Sequence, residues 1–194
     1  MNRRRYFRLL VPPLAALGLA GGAAAGTEDA PKYGRTVVRY ELPDVTLVNQ
    51  DGARMKLSQA LSADKPVLLD FFFTSCTTIC PVLSASFSSV LETLGKEADD
   101  VHVVSIAIDP DHDTPRVLQD YRKRFGAYPQ WELLTGSKED IERVRRAFDA
   151  YSQDKMGHRP LNFLRPAGSA SWVRIDGLIG SADLIAEYRG LRRR

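Results

Sequence analysis

The strongest constraint on this chain is an apolar run followed at once by its only two cysteines. The run is Leu68 to Phe73, and Cys76 and Cys80 follow it, four positions apart. An apolar run rich in aromatic and β-branched residues predicts a buried strand, here 67–73. The apolar spacing after Cys80 predicts a helix that stops at Gly95. Its start is expected close to Cys76, because nearby hydroxyls can cap it and Pro81 is acceptable only in a first turn. The two thiols are therefore expected at a strand-to-helix junction.

Two thiols at such a junction support two kinds of chemistry. Helical residues at i and i+4 share a face, with Cα atoms roughly 6 Å apart, which suits either a disulfide or one ion held between two sulfurs. The positive end of the helix dipole favours thiolate over thiol and so assists both. A structural disulfide is a third interpretation, but a bridge that closes so short a loop removes little chain entropy. The spacing leaves redox exchange and soft-metal binding open.

The order of the predicted elements indicates an α/β fold. Two alternating stretches joined by the turn Asp51-Gly52 predict an N-terminal hairpin, and the apolar segment 101–108 predicts a strand after the cysteine helix. Strand, helix and strand in this order imply a parallel crossover, which places the loops after both strands at one edge of the sheet. We therefore expect residues 36–194 to form one thioredoxin-like domain, a central mixed sheet flanked by helices, with an N-terminal β-hairpin extension.

Three aspartates lie near the expected site. Asp70 is inside the predicted buried strand, where we expect it to have a hydrogen-bonding partner, with a proton relay to the thiols as the alternative. Asp113 or Thr114, with Pro115, makes a good helix start, and we favour Asp113 as the cap. For Asp109, shaping the loop and receiving a partner protein both remain open.

The first 26 residues differ from the rest in charge and hydropathy. They contain four arginines and no acid, and an apolar stretch from Leu9 to Ala25 ends in small residues. This pattern is typical of an export signal, with an uncleaved membrane anchor as the alternative. We expect 27–35 to be a linker and the domain to be exported to the periplasm, free or anchored to the inner membrane. Basic and aromatic residues do not interleave along any predicted element, so nucleic-acid binding is not predicted.

Two motifs in this order resemble those of the Sco/SenC family of copper-binding, thioredoxin-like proteins. The first is Cys76-Thr77-Thr78-Ile79-Cys80-Pro81, and the second is Asp109-Pro110-Asp111-His112-Asp113-Thr114-Pro115. The resemblance extends from about Tyr40 to Tyr188. It departs at Thr77, where the family often has a proline.

Three histidines compete to be the third metal ligand that the resemblance implies. His102 lies inside a predicted strand, where a partnered imidazole is the simpler interpretation. His112 lies in the second motif, where the family has no ligand. His158 follows a long loop, at the position of the family's copper histidine. The resemblance thus implies a site for Cu(I) or Cu(II) formed by Cys76, Cys80 and His158.

The same resemblance implies a function in metal delivery. It indicates a copper chaperone that supports metallation of the CuA centre of cytochrome c oxidase, with the copper-bearing oxidase subunit, or another copper or thiol protein, as partner. The alternative is a thiol-disulfide oxidoreductase, in which Cys76 and Cys80 are a redox-active pair that keeps target cysteines reduced. His158 separates the two, because a dithiol reductase does not need it. A peroxidase and a purely structural exported domain fit the sequence less well.

Overall fold

A computed structural model describes residues 33–62 and 64–191 of the protein. In this part of the chain, eight strands form a single mixed sheet that is flanked by helices. The strands are β1 Gly34–Arg39, β2 Thr46–Asn49, β3 Arg54–Lys56, β4 Val67–Phe72, β5 His102–Ala107, β6 Trp131–Thr135, β7 Leu161–Arg165 and β8 Ser171–Asp176. The α-helices are α1 Leu57–Ala60, α2 Ile79–Leu94, α3 Pro115–Arg124, α4 Lys138–Ala147 and α5 Ser181–Leu191. The expected α/β class is confirmed.

The sheet order is β1-β8-β7-β4-β5-β6-β2-β3. Strands β4, β5 and β6 are parallel to one another, whereas β7 pairs antiparallel with the other side of β4. The predicted hairpin is present as β2 and β3, and its turn uses Gly52 at a φ of 82°, where glycine is favoured. The helix α2 connects β4 to the parallel β5, as the predicted crossover requires.

The N-terminal residues contribute to both edges of the sheet. Strand β1 pairs with β8 at one edge, and the hairpin β2–β3 lies at the other. Since β1 begins at Gly34, the last two residues of the predicted linker belong to a strand. The predicted signal or anchor, 1–26, lies outside the described residues. Among 33–62 and 64–191, no helix has the length and apolar character that crossing a membrane requires.

Strand β4 lies at the centre of the core. All six of its residues are buried, and the ring of Phe71 packs edge-on against Phe148 and Phe163, with centroids 5.8 and 5.9 Å apart. Just past the end of β5, the amide of Ile108 donates to the carbonyl oxygen of Phe72 at 2.8 Å. The carboxyl end of β4 is therefore held on both sides, and the loop that leaves it starts from a fixed position.

Asp70 is a fully buried carboxyl group in the middle of β4, and the expectation that it has a hydrogen-bonding partner is wrong. Neither of its oxygens is within hydrogen-bonding geometry of any group, although Ser105 is opposite it on β5. Burial raises the pKa of Asp70 to about 7, with the nearby Ser105 hydroxyl opposing the shift. Below about pH 7, this carboxyl group therefore favours its protonated form inside the folded protein.

This carboxyl group should make stability depend on pH. In the unfolded chain Asp70 ionises near pH 4, whereas the folded chain keeps the proton up to a pH of about 7. The free energy of unfolding should therefore fall between these two pH values, by about 2–4 kcal/mol for this group, and then level off. Urea unfolding of reduced wild type and Asp70→Asn across this range measures the effect. Parallel pH profiles for the two proteins would contradict it.

Candidate metal centre

The two cysteines lie on either side of the start of α2. The helix begins at Ile79, so Cys76 lies in the preceding loop and Cys80 in the first turn, and the predicted start close to Cys76 is three residues too early. Pro81 explains the difference, because a proline deeper in a helix removes a backbone hydrogen bond and clashes with the preceding turn. A tight turn, in which the amide of Cys76 donates to Phe73 at 3.1 Å, brings the thiols together instead.

The two thiols are free, buried and electrostatically unequal. Burial alone would raise the pKa of Cys76, but hydrogen bonds from the backbone of Cys80 and Thr78, and from the side chains of both residues, lower it to about 7. Burial raises the pKa of Cys80 far above its usual value, and the neighbouring Cys76 adds to the shift. Cys76 is therefore the thiol that ionises near neutral pH, and it can act as a nucleophile or a soft ligand.

Asp113 fastens the loop after β5 to the loop after β4. It is fully buried and accepts hydrogen bonds from the amide of Thr74, at 3.2 Å, and from the Thr74 hydroxyl. The favoured capping role of Asp113 is wrong: the cap position of α3 is Thr114, the alternative, and the carboxylate of Asp113 is bonded to Thr74. Burial raises the pKa of Asp113 despite the opposing bonds from Thr74. The two loops are neighbours, as the parallel strands predicted.

Asp109 fastens the same segment to the loop that carries His158. Its carboxylate accepts hydrogen bonds from Lys155 Nζ, at 2.5 Å, and from His112 Nδ1, at 3.2 Å. Burial alone would raise the pKa of Asp109, but Lys155 and His112 outweigh it and hold the pKa below its usual value. Asp109 therefore shapes the loop, which was one of its two open roles.

His158 is buried, with 7% of its surface exposed, and neither ring nitrogen has a hydrogen-bonding partner. Burial lowers its pKa to about 4, with the backbone of Phe71 opposing the shift and the Arg145 guanidinium adding to it. The imidazole is therefore neutral at pH 7, as a metal ligand must be. Since β7 pairs antiparallel with β4, the chain before Leu161 runs alongside the turn that follows β4.

The structure gathers the candidate ligands at one end of β4 without closing a site around them. Cys76 and Cys80 interact directly, and His158 lies against the backbone of Phe71. Nowhere in 33–62 or 64–191 are three His, Cys, Asp or Glu side chains grouped closely enough to hold a metal ion. The donors nevertheless fit a soft metal, because an ionisable thiol pair and a buried neutral imidazole with no partner are available together.

The other two histidines have partners elsewhere. His102 begins β5, at the opposite end of the sheet from the thiols, and its Nε2 lies 3.5 Å from a carboxylate oxygen of Glu132. The expectation of a partnered imidazole is confirmed there. His112 is largely exposed and bonds to Asp109. No local pattern predicts the contact of Lys155 with Asp109, because the two residues are 46 positions apart.

Comparison with known proteins identifies the family. The SCO1/SenC family model matches residues 39–165. The chain belongs to the SCO1/SenC family. A Bacillus subtilis SCO1 protein homolog is 35% identical over 107 residues, which is 54% of each chain. Rhodobacter capsulatus protein SenC is 30% identical over 106 residues, which is 55% of this chain and 46% of SenC. This SCO1/SenC protein thus matches about half the length of these curated relatives.

Solved structures confirm the expected thioredoxin-like fold of this SCO1/SenC protein. A SCO1/SenC family lipoprotein from Bacillus anthracis superposes with a TM-score of 0.68 at 26% identity, covering 80% of this chain and 97% of the other. Arabidopsis thaliana ScoI, solved with copper bound, superposes with a TM-score of 0.66 at 26% identity, covering 78% and 97%. BsSco, described as having a disulfide switch and as a member of a family of cytochrome c oxidase assembly proteins, gives 0.66 at 26%, covering 80% and 95%.

The difference in pKa between the thiols of Cys76 and Cys80 has a measurable consequence. Alkylation of the reduced protein by iodoacetamide should occur first at Cys76, with a rate that rises with pH and has its midpoint near 7. Cys80 should stay unmodified at the pH values at which Cys76 reacts, because burial keeps Cys80 in its thiol form. Mass spectrometry of peptides after timed alkylation checks this. Equal labelling of the two cysteines, or a midpoint above pH 8, would contradict the assignment.

Proposed function

We propose that this protein binds copper through Cys76, Cys80 and His158 and passes it on during assembly of cytochrome c oxidase. The observation that supports this best is the unpartnered imidazole of His158. Burying a polar group without a hydrogen-bonding partner is unfavourable by roughly 1–3 kcal/mol, so such groups in folded proteins call for a ligand or a function. Copper-bound structures of related Sco proteins from Arabidopsis thaliana and Bradyrhizobium japonicum support copper as that ligand.

Each residue then has a distinct part in binding. Cys76 supplies a thiolate near neutral pH, and Cys80, whose thiol is held protonated by burial, releases its proton only when a cation is present. His158 is already neutral, and binding requires its imidazole to move from the Phe71 backbone to the thiols. A set of three ligands, from the cysteine loop, the first turn of α2 and the histidine loop, leaves coordination positions free, which is what transfer by ligand exchange requires.

The proposal also includes the compartment in which the protein acts and the protein that receives its copper. The arginine-rich, apolar first 26 residues support export to the periplasm, with the segment either cleaved or kept as an inner-membrane anchor. In that compartment, the copper-bearing subunit that carries the CuA centre is the proposed partner. The description of BsSco as a member of a family of cytochrome c oxidase assembly proteins supports this choice.

A thiol-disulfide oxidoreductase is the second candidate, and the inequality of the thiols favours it. In thiol exchange, the cysteine with the lower pKa attacks the target and its neighbour resolves the mixed disulfide. Cys76 and Cys80 have these properties. The disulfide switch described for BsSco is consistent with such chemistry. This candidate gives no role to His158, so the histidine decides between the two functions.

The deciding experiment compares His158→Ala with wild type. The reduced wild-type protein should bind about one Cu(II) with a thiolate-to-copper charge-transfer band, and His158→Ala should lose the band or bind Cu(II) at least about tenfold more weakly. His102→Ala is the matched control, since His102 begins β5 at the opposite end of the sheet and pairs with Glu132. Circular dichroism should show that both variants are folded.

Two results would count against the copper carrier. If His158→Ala and wild type bind Cu(II) with the same affinity and spectrum, the three-ligand site is wrong. If, in addition, the reduced protein reduces a model disulfide as fast without the histidine as with it, the oxidoreductase becomes the better account.

A further inference from the structure

The segment 109–115 holds both loops that carry the candidate ligands. Two of its three aspartates make these contacts: Asp113 is bonded to Thr74 in the cysteine loop, and Asp109 is bonded to Lys155 in the histidine loop. Both carboxylates are buried or nearly so, and each reaches a residue two or three positions from a candidate ligand. The relative position of the two loops therefore depends on these two contacts.

Lys155 is the point at which the histidine loop is attached. Its Nζ is 2.5 Å from Asp109 Oδ2, and it also lies 5.5 Å from the centre of the Phe73 ring, in the turn that leads to Cys76. Its carbonyl oxygen accepts the amide of His158 at 3.2 Å. One residue thus contacts the segment 109–115 and the cysteine turn through its side chain, and His158 through its backbone.

The rest of this short segment has little to hold it in place. Lys155–Gly157 is a single 3₁₀ turn, and Met156 is 68% exposed. The other hydrogen bonds described for 155–157 are local, from the amides of Met156 and Gly157 to Asp154. The side chain that attaches this segment to other parts of the fold is therefore that of Lys155.

We propose that the ion pair between Asp109 and Lys155 is a latch that keeps the histidine loop against the cysteine turn and so sets how strongly His158 contributes to copper binding. This inference rests on the proposed function. Asp109 and Lys155 are positioning residues, since neither is a candidate ligand.

The latch acts on Cu(II) affinity through the fraction of molecules in which the histidine loop lies against the cysteine turn. His158 can reach the thiols only from a loop that lies against the cysteine turn. When a fraction of molecules has the loop in that position, the apparent dissociation constant for histidine-dependent binding rises by the inverse of that fraction. Breaking the latch should therefore weaken Cu(II) binding roughly three- to tenfold. Cu(I), which two thiolates hold without an imidazole, should change by less than about twofold.

The test compares the reduced protein with four single variants, and with His158→Ala alone and combined with Lys155→Met. Lys155→Met and Asp109→Asn break the latch, and Lys155→Arg is the conservative variant that should retain it. Lys123→Met is the matched control, because Lys123 forms an exposed pair with Asp120 at 3.1 Å on α3. Affinities for Cu(II) and Cu(I) are measured by competition with chelators. Hydrogen exchange at residues 155–158 of the metal-free protein provides a readout that does not need copper.

The expected pattern is specific. Lys155→Met and Asp109→Asn should accelerate exchange at 155–158 and weaken Cu(II) but not Cu(I) binding, whereas Lys155→Arg and Lys123→Met should match wild type. In a His158→Ala background, Lys155→Met should produce no further loss of Cu(II) affinity, because the histidine it positions is gone.

Different outcomes overturn different claims. If His158→Ala weakens Cu(II) binding but Lys155→Met does not, or if Lys155→Met tightens it, the latch is wrong and the three-ligand site stands. If Lys155→Met weakens Cu(I) and Cu(II) equally, Lys155 supports the thiols and not the histidine, and the latch is again wrong. If wild type and His158→Ala bind Cu(II) equally, the proposed function fails and the latch falls with it.

Discussion

The pairing of the fully buried strand β4 with neighbours of opposite direction is the constraint on which the rest of the structure depends. Its parallel neighbour β5 sends the loop after it to the same end as the cysteine loop. Its antiparallel neighbour β7 starts at that end, so the chain that precedes β7, with His158, arrives there too. Three loops remote in sequence therefore meet at one place, and no single loop has to supply the whole site.

Those features that depend on local sequence could be predicted. The apolar run predicted β4, Asp51-Gly52 predicted the hairpin turn, and the strand–helix–strand order predicted that the loops are neighbours. The start of α2 was placed three residues too early, because a helix that began at Cys76 would have Pro81 in its second turn, whereas a start at Ile79 keeps Pro81 in the first. A proline that must lie in the first turn determines a helix start more closely than the apolar pattern does.

Those features that depend on tertiary contacts could not be predicted. Asp113 has the local sequence of a helix cap, but it bonds to Thr74, 39 positions away. Asp70 was expected to have a partner because buried carboxylates usually do, and the raised pKa shows how the protein accommodates it without one. Whether a polar side chain has a partner depends on the geometry of several strands together, and sequence patterns do not encode that. The choice of His158 as the third ligand likewise came from the family resemblance and not from its local sequence.

Copper binding as proposed needs the thiols of Cys76 and Cys80 and the imidazole of His158 to act as one site. In the structure, the histidine faces the Phe71 backbone. X-ray absorption spectroscopy of the protein loaded with one Cu(II) tests this most directly, because sulfur and nitrogen ligands differ in distance by a few tenths of an ångström. The account predicts two sulfur ligands and one imidazole nitrogen, with the nitrogen contribution lost in His158→Ala. Sulfur ligands alone, or an imidazole signal that persists without His158, would contradict it.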